Sequence, residues 1–402
     1  MRILIVNMYY SPNMIGGAEH SIKLLAEGCV KAGHEVAVLT MDGGRKGISK
    51  EKISDVIVYR GYSKSIYRRR ILANKSYPTD MIMNGVHSIW NPEMNRYIKK
   101  VIAHFRPDVV HTNNLVSMSY WIWKYCAEKR IPLIHTIRDY WLLDPTTIIG
   151  GSNKIASQVF RQIMRRKSNK YVSYVTAPSK KTLEIFTEAG YFIKSDKECI
   201  VNSIDFSEEL LRDSVIAKLD RGDKRIRFLY SGYLSENKGI KVLLEELEKV
   251  KKDYEMVFCG DGPLLPTVQQ YAGRNDRVIV RGKISKKEME EEYRTADVLI
   301  VPSLWEEPFG RIVIEAAQYA TPSIGSDKGG IPETITALQF GTVVQINSQG
   351  ELASCISKYA DRSYLKEVVS AGPHNLEQYR IENHINAFIS AYEKTAALVR
   401  EK

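Results

Sequence analysis

The sequence has few cysteines and no long uninterrupted apolar run. Its five cysteines are scattered over 402 residues and form no CxxC pair. This distribution argues against a disulfide framework or a zinc ribbon and is typical of a reducing cytoplasm. No stretch approaches the ~18 uncharged apolar residues that a membrane-spanning helix needs, and the apolar run at residues 3–6 is too short for a signal peptide. The sequence therefore predicts a cytoplasmic protein without a membrane span.

Several catalytic signatures are also missing. There is no HExxH, no clustered set of histidines and cysteines, and no DxD at a strand end, so nothing indicates a bound catalytic metal. A GxSxG elbow and a GxxxxGK[ST] loop are absent, which removes most support for a hydrolase or a P-loop kinase. Without a GxGxxG motif, a bound NAD is not expected either. We therefore expect neither a metal nor a resident cofactor.

Negative charge is scarce in the first half of the chain. Residues 1–200 hold 31 lysines and arginines against 16 acidic residues, whereas the remainder holds 27 against 31. Basic runs occur at residues 68–70 and 161–170. Such an uneven field indicates an anionic partner for the first half, either nucleic acid, phospholipid or a phosphorylated substrate, although solvated helix faces explain any single run as well.

What the sequence does have is a repeated pattern of apolar strand, turn and helix. Val/Ile/Leu-rich strands that alternate with helices favour parallel sheets covered on both faces, and two separate series favour two doubly wound α/β domains. The predicted strands of the first series are Arg2–Met8, Glu35–Thr40, Val56–Arg60, Asp108–Asn113, Leu133–Arg138, Tyr174–Pro178 and Cys199–Ile204. Those of the second are Arg225–Ser231, Met256–Cys259, Arg277–Arg281, Val298–Pro302, Ser323–Ser326 and Thr342–Ile346.

The same pattern predicts the domain boundaries. The first domain covers residues 1–206, a polar linker follows at 207–224, and the second domain covers 225–375. A C-terminal helix at 376–402 has Ile385, Phe388, Ile389 and Tyr392 at helical spacing, so its apolar face must pack on one of the two domains, and it can cross back to the first.

The densest motif lies at residues 303–316, where a strand ends, a loop carries two glutamates and a Pro-Phe-Gly, and a helix begins near Gly310. Backbone N–H groups and the positive dipole end at a helix start favour phosphate. Glu307 precedes this start and Glu315 lies about two turns into the helix, so the two carboxylates are candidates for a sugar and a ribose. Two glutamates eight residues apart would otherwise be ordinary surface charges.

Three further positions stand at strand-to-helix turns or strand ends. Lys238 follows the strand at 225–231 and is a candidate to hold a diphosphate as a point charge, although a lone lysine is often a solvated cap. Gly16 and Gly17 form a loop after the first strand, where ligands bind in doubly wound sheets. His111 and His135 lie on the fourth and fifth strands, and a buried, hydrogen-bonded histidine is the commoner explanation for each.

Taken in order, these segments resemble the GT-B glycosyltransferases of family 4, also called glycosyl transferases group 1. The resemblance covers nearly the whole chain. Its motifs are the glycine loop at 16–19, GHEV at 33–36, PDVVHT at 107–112, HTIRDYW at 135–141, GDGP at 260–263, EPFG at 307–310 with Glu315-Ala316, and GGIPE at 329–333. It implies two Rossmann-like domains facing a cleft, with the acceptor bound by the first and a nucleotide sugar by the second.

The family further implies retaining, metal-independent transfer of a sugar from a nucleoside diphosphate to a saccharide or lipid-linked acceptor, as in cell-surface polysaccharide synthesis. By resemblance, the catalytic residues are Glu307, Lys238 and His111. The implied donor-binding residues are Gly16, Gly17, Lys238, Arg281, Glu307, Phe309, Gly310, Arg311 and Glu315. Acceptor-side candidates are Asn113, Arg138 and Asp139.

Two positions depart from the family pattern. Tyr233 stands where the family has an arginine that joins the lysine on the diphosphate, and Arg138 stands where it has a histidine. Loss of one electrostatic donor weakens leaving-group stabilisation by about 2–4 kcal/mol. The alternative function is therefore a non-catalytic sugar-nucleotide-binding or assembly protein on the same scaffold. No recognition module accompanies the basic residues, so we favour an anionic membrane surface over nucleic acid as their partner, at the inner face of the cell membrane.

Overall fold

The computed structural model describes residues 1–14, 16–42, 47–62, 85–143, 154–222 and 225–400. The chain forms two compact units, one of Met1–Val201 with Ile381–Lys402 and the other of Asn202–Arg380. Each unit is built on one sheet flanked by helices, as the alternating sequence pattern predicts. The basic run at residues 68–70 lies outside the described residues.

The described part of the first unit holds a sheet with the order β3-β4-β2-β1-β5-β6-β7-β8. All neighbours run parallel except β3 and β4. The central strands are buried on both faces, which explains their continuous Val/Ile/Leu runs. The strands are β1 Arg2–Val6, β2 Glu35–Asp42, β3 Ile48–Ile53, β4 Val56–Tyr62, β5 Val109–Thr112, β6 Leu133–Thr136, β7 Tyr174–Ala177 and β8 Asp196–Cys199.

Helices cover the faces of this sheet. Asn91, Ser179 and other polar residues cap several of them by accepting from the backbone of the first turn. The helices are α1 Gly17–Lys31, α2 Pro92–Phe105, α3 Trp121–Glu128, α4 Lys154–Tyr171, α5 Lys180–Glu188 and, from the end of the chain, α14 Ile381–Arg400.

Both edges of the first sheet differ from the sequence prediction. Strand β3 was not anticipated, and the predicted strand Cys199–Ile204 is instead β8, Asp196–Cys199, several residues earlier. Both are charged edge strands, with Lys50-Glu51-Lys52 in β3 and Asp196-Lys197-Glu198 in β8. Edge strands tolerate charges because one side faces water, so apolar periodicity does not detect them.

Helix α14 completes the core of the first unit. Phe388 and Tyr392 are fully buried, Ile385 nearly so, and they join a cluster with residues of β1, β2 and α1. Gly28 of α1 allows the close packing, because a Cβ at this position would lie 2.1 Å from Cδ1 of Ile385. The apolar stripe noted in the sequence therefore packs on the first unit.

The second unit contains a fully parallel sheet with the order β11-β10-β9-β12-β13-β14 in its described residues. Its strands are β9 Ile226–Ser231, β10 Tyr254–Cys259, β11 Val278–Gly282, β12 Val298–Val301, β13 Ser323–Ser326 and β14 Gly341–Val344. Its helices are α6 Glu208–Leu219, α7 Ile240–Leu247, α8 Leu265–Ala272, α9 Lys286–Thr295, α10 Arg311–Ala317, α11 Ile331–Leu338, α12 Glu351–Tyr359 and α13 Arg362–Ala371. Short 3-10 turns occupy Glu236–Lys238 and Leu376–Tyr379.

The segment 207–224 is not the linker that its polar composition predicts. Ser207 caps helix α6, its side chain accepting from the backbone of Leu210 at 3.2 Å. Lys218 of this helix is buried and its amine donates to Oγ1 of Thr321 at 2.8 Å and to the carbonyl of Ala296. These contacts anchor α6 in the second unit, which begins at Asn202 and ends at Arg380 rather than at 225 and 375.

In the part of the chain that the structure describes, no helix combines the length and apolarity needed to cross a membrane.

Candidate functional site

The carboxyl ends of β9 and β12 meet in the second unit, because the two strands are neighbours in its sheet. The 3-10 turn after β9 contains Asn237, and its carbonyl accepts from the backbone N–H of Leu304 at 2.9 Å and of Trp305 at 3.0 Å. Gly239 makes this approach possible: its φ is +72° and a Cβ there would lie 1.8 Å from the carbonyl oxygen of Pro302. The two loops are therefore fixed against one another.

This contact brings Lys238 and Glu307 together. The amine of Lys238 forms an ion pair with Oε1 of Glu307, and the hydroxyl of Ser303 donates to the same oxygen at 3.1 Å. Both charged side chains remain partly accessible, with 30% of Lys238 and 17% of Glu307 exposed. Burial, and next the charge of Glu307, raises the pKa of neighbouring Tyr230. A cation and a carboxylate thus share one accessible position at the strand ends.

A second turn supports the loop that carries Glu307. Glu306 accepts from the backbone N–H of Gly329 at 2.6 Å, and the carbonyl of Glu307 accepts from Gly330 at 2.7 Å. Gly329 has φ of +58°, and a Cβ there would lie 2.1 Å from the carbonyl oxygen of Glu307. The GGIPE segment therefore acts as a brace for the EPFG loop. The GGIPE motif is part of the family resemblance, but the sequence does not predict that Glu306, Gly329 and Gly330 hold the EPFG loop in place.

Helix α10 begins at Arg311, directly after Gly310, whose φ is +79°. Phe309 is buried, and its carbonyl accepts from Oγ1 of Thr334 at 2.9 Å. The turn is therefore held by α11 as well as by its own sequence. It presents the start of a helix beside Glu307, as the motif predicts.

Glu315 is held by two side chains. Nε of Arg311 donates to its Oε1 at 2.7 Å, and the hydroxyl of Tyr293 donates to its Oε2 at 3.2 Å. Burial, and next the charge of Glu315, raises the pKa of Tyr293 well above its usual value, so the tyrosine stays a neutral donor. The side chain of Glu315 keeps 30% of its surface exposed.

Arg281 lies at the end of β11, two strands from β9 in the sheet order. Its Nε donates to Glu292 at 2.8 Å, and Glu292 also accepts from Arg227 at 2.8 Å. About half of the Arg281 side chain is exposed. Tyr233, at the position of the family arginine, is 60% exposed and brings no charge to the site.

In the first unit, the glycine loop leads into α1. The backbone N–H of Gly16 donates to Oε2 of Glu19 at 2.9 Å, so Glu19 caps the helix that Gly17 begins. Arg60, which sequence reasoning missed, donates to the carbonyl of Ser11 and pairs with Glu51. The loop is thereby attached to the edge of the sheet.

His111 does not fit the catalytic role predicted for it. Its ring is fully buried, Nδ1 bonds to the hydroxyl of Tyr392 at 2.8 Å and Nε2 to that of Thr136 at 2.7 Å. The ring also stacks on Phe388 at 5.1 Å between centroids. Burial lowers its pKa well below the usual value. Because no face or nitrogen of the ring is left for a substrate, His111 is a core histidine that joins β5, β6 and α14.

His135 is also a core residue. It is buried, bonds to Oγ1 of Thr112 at 3.0 Å and stacks on Phe192. Burial lowers its pKa to about 3. These features agree with the expectation of a buried, hydrogen-bonded histidine.

The acceptor-side candidates lie together at the carboxyl ends of β5 and β6. Nε of Arg138 donates to Oδ1 of Asn113 at 3.0 Å. Asp139 accepts from the side chain of Asn114 at 2.9 Å and from the backbone of Trp141 at 3.0 Å, and burial raises its pKa. These residues line a small cleft. Asn114, the partner of Asp139, was missed because no motif marks it.

Among the described residues, no group of three His, Cys, Asp or Glu side chains is placed to hold a metal ion. The expectation of metal-independent chemistry stays a prediction.

Two α/β units, each built on a largely parallel sheet, are the architecture of the GT-B class of glycosyltransferases, and solved structures of that class match nearly the whole chain. Sucrose-phosphate synthase from Thermosynechococcus elongatus covers 99% of this chain and 99% of its own, with a TM-score of 0.73 and 19% identity. HepE from Anabaena, solved in complex with UDP and glucose, covers 98% and 100%, with a TM-score of 0.67 and 17% identity. The predicted fold class is confirmed.

Family descriptions account for most of the sequence. Glycosyltransferase Family 4 matches residues 15–208, and Glycosyl transferases group 1 matches residues 212–371. The chain belongs to this family of glycosyltransferases, which confirms the resemblance seen in its motifs. An uncharacterized 42.6 kDa protein in the cps region of Klebsiella pneumoniae is 28% identical over 341 residues, which cover 83% of this chain and 87% of that protein.

Proposed function

We propose that this glycosyltransferase moves a sugar from a nucleoside diphosphate donor to a saccharide or lipid-linked acceptor, with retention and without a metal. The observation that carries the proposal is the Lys238–Glu307 pair, which is accessible, fixed by two braced loops and adjacent to the start of α10. The complex of HepE with UDP and glucose supports a nucleotide sugar as the ligand class.

In this proposal the ion pair exchanges partners when the donor binds. Lys238 leaves Glu307 and turns to the diphosphate, to which the backbone N–H groups of Phe309, Gly310 and Arg311 also donate. Glu307 then accepts from hydroxyls of the transferred sugar, and Glu315 from those of the ribose. Fixed dipoles and one cation stabilise the charge of the departing diphosphate, which is the main requirement of the reaction.

The remaining predicted roles belong to the same proposal. Arg281 frames the base, and Gly16 and Gly17 bind the phosphates from the first domain. Asn113, Arg138 and Asp139 bind the acceptor. A departing phosphate oxygen accepts the proton of the incoming hydroxyl, so the burial of His111 leaves the mechanism intact.

We further propose a role in cell-surface polysaccharide synthesis at the inner face of the cell membrane, with the protein cytoplasmic and bound peripherally. The Klebsiella pneumoniae relative in a cps region supports the polysaccharide role. The excess of basic residues in the first 200 positions supports attraction to anionic lipid, which contributes about 1 kcal/mol per nearby lysine or arginine.

A thermal-shift panel tests the donor. UDP-, GDP-, ADP- and dTDP-sugars are each added to the full chain, and we expect one nucleotide class to raise Tm, because a ligand that binds only the native state stabilises it. The free nucleoside diphosphates serve as controls for the sugar contribution. If no member of the panel shifts Tm at any concentration, the proposed donor class is wrong.

The alternative, a non-catalytic sugar-nucleotide-binding or assembly protein, is favoured by one observation: exposed Tyr233 supplies no second cation. Glu307→Gln separates the two functions. An enzyme loses turnover and keeps the donor-induced Tm shift, whereas a binding subunit has no turnover to lose. Glu245→Gln, an exposed position on α7, is the matched control and is expected to behave as wild type in both assays.

A further inference from the structure

A groove in the first unit lies where strands β6 and β7 begin. Its volume is about 880 Å³, which is within the range of pockets that hold small ligands. Leu133, Val172 and Leu398 give it apolar walls from β6, the approach to β7 and the end of α14. The acceptor-side candidates lie where strands of the same sheet end, whereas this groove lies where strands begin. The two sites are therefore separate.

Four cations surround the groove: Arg130, Arg166, Lys170 and Lys194. All four are exposed, and among the described residues none has a carboxylate within 4.0 Å. Among the groove-lining residues that the structure describes, none is acidic. We call this feature the basic groove. Because no carboxylate of the described residues balances this positive charge, the basic groove favours an anionic occupant.

Helix α4 carries two of these cations on an exposed stripe that also has apolar residues. At 100° per residue, Ile155, Val159, Arg166 and Lys170 lie within about 60° of one another around the helix. Ile155 is 73% exposed and Val159 is 50% exposed. Large aliphatic side chains cost free energy in water, so this stripe indicates a surface that is covered when the protein functions.

We propose that the stripe of α4 lies on an anionic membrane surface and that the basic groove binds the phosphodiester head group of an anionic phospholipid. Exposed aliphatic residues beside lysines and arginines are the features of a helix that lies in the membrane interface. Free phosphate would leave Ile155 and Val159 unexplained. A single-stranded nucleic acid would require aromatic stacking platforms rather than aliphatic side chains. This inference specifies the membrane association within the proposed function and does not require the transferase activity.

Vesicle sedimentation of the full chain tests the charged part of the proposal. Vesicles contain either phosphatidylcholine alone or phosphatidylcholine and phosphatidylglycerol in equal parts, at moderate salt. We expect binding only to the anionic vesicles. Arg166→Gln/Lys170→Gln is expected to weaken it about tenfold or more. Lys50→Gln/Lys100→Gln, which removes the same charge from exposed sites elsewhere in the first unit, should bind as wild type.

Ile155→Ser/Val159→Ser tests the apolar part without changing charge, and both positions are exposed, so the fold is retained. We expect vesicle binding to fall roughly threefold or more. Equal losses in the groove and control charge variants, unchanged binding of the serine variant, or equal binding to both vesicle types would overturn the proposal. Inorganic phosphate is the soluble probe: a Tm shift with phosphate and no vesicle binding would also overturn it.

The donor-induced Tm shift is measured on the same variants. It is expected to stay at the wild-type value, because none of the substituted residues lies in the second unit. A protein that binds vesicles through α4 and no nucleotide sugar would contradict the proposed function alone. One that binds a nucleotide sugar and no anionic vesicle would contradict the membrane inference alone.

Discussion

Polar side chains lie at the carboxyl ends of parallel strands in both units, but the partners that bind these side chains differ between the two units. In the first, both ring nitrogens of His111 bond to buried hydroxyls and the residue has no exposed surface. In the second, Lys238 and Glu307 satisfy one another while both remain partly accessible. A position at a strand end is therefore insufficient evidence for a functional residue. The residue must also keep a polar atom that a ligand can reach.

The largest effect is expected from Lys238→Met. If the lysine stabilises the leaving diphosphate, kcat falls about 10²–10³-fold, as for removal of one electrostatic donor, with little change in Tm. Lys241→Met is the matched control, because this exposed lysine of the same unit also pairs with a glutamate and should keep full turnover. Steady-state kinetics with the donor identified by thermal shift provide the measurement. Equal kcat in both variants would show that the accessible pair is structural.

The next effect concerns stability rather than rate. His111→Leu leaves the hydroxyls of Tyr392 and Thr136 without their shared partner, and we expect a loss of about 2–3 kcal/mol in the free energy of unfolding. Turnover per folded molecule should be unchanged. Urea unfolding and kinetics at low temperature measure the two quantities, with His104→Leu as an exposed control. A fall in kcat at unchanged stability would restore a catalytic role for His111.

A smaller effect is expected at Glu315. Glu315→Gln retains the hydrogen bonds from Arg311 and Tyr293 in part but loses charge, so donor affinity should fall about tenfold, which corresponds to about 1.4 kcal/mol. In the proposed function Glu315 binds the ribose, and this contact is the same in the ground state and in the transition state. KM should therefore rise while kcat stays constant. Initial-rate kinetics against donor concentration test this, and Glu245→Gln is the control. A change confined to kcat would assign Glu315 to the reacting centre instead.

The last prediction concerns the pH dependence of stability and contrasts two lysines of the second unit. Burial lowers the pKa of Lys218 to about 7, whereas in the unfolded chain a lysine titrates near 10.4. Between these values the unfolded state binds more protons, so the free energy of unfolding rises with pH from about 7 towards 10 by no more than about 1.4 kcal/mol per unit. Below 7 both states are protonated and the penalty for burial is constant.

Denaturant unfolding of wild type and Lys218→Met across this range isolates the contribution as a difference between two curves. We expect the difference to change with pH for Lys218→Met and to stay level for Lys241→Met, the exposed control. Parallel curves for wild type and Lys218→Met would show that the buried amine stays charged throughout.

The strands of both sheets were predictable where burial on two faces demanded continuous apolar runs, as in β1, β9 and β12. Prediction failed where tertiary contacts outweigh composition. Segment 207–224 looks like a linker, yet buried Lys218 anchors it as α6. The apolar pattern does not predict strand β3, because an edge strand can carry charges.

The candidate site was also predictable only in part, because its contacts depend on the tertiary structure. The motifs identify Lys238, Glu307 and Glu315 one at a time, because each sits at a recognisable turn or helix. Their contacts depend on strand order, because β9 and β12 are neighbours in the sheet although Val298, the first residue of β12, lies 67 positions after Ser231, the last residue of β9. Sequence spacing alone does not encode this relation. Likewise, the chain from 107 to 112 gives no sign that His111 meets Tyr392.

The return of α14 to the first unit has a consequence for the order in which the chain folds during synthesis. Phe388 and Tyr392 close a core that begins with Ile3 and Ile5, so a fragment cut at residue 201 would expose an apolar surface and lack a wall of its own interior. During synthesis, the second unit is complete before the first can be. Helix α14 must leave the ribosome before the earliest strands reach their finished environment.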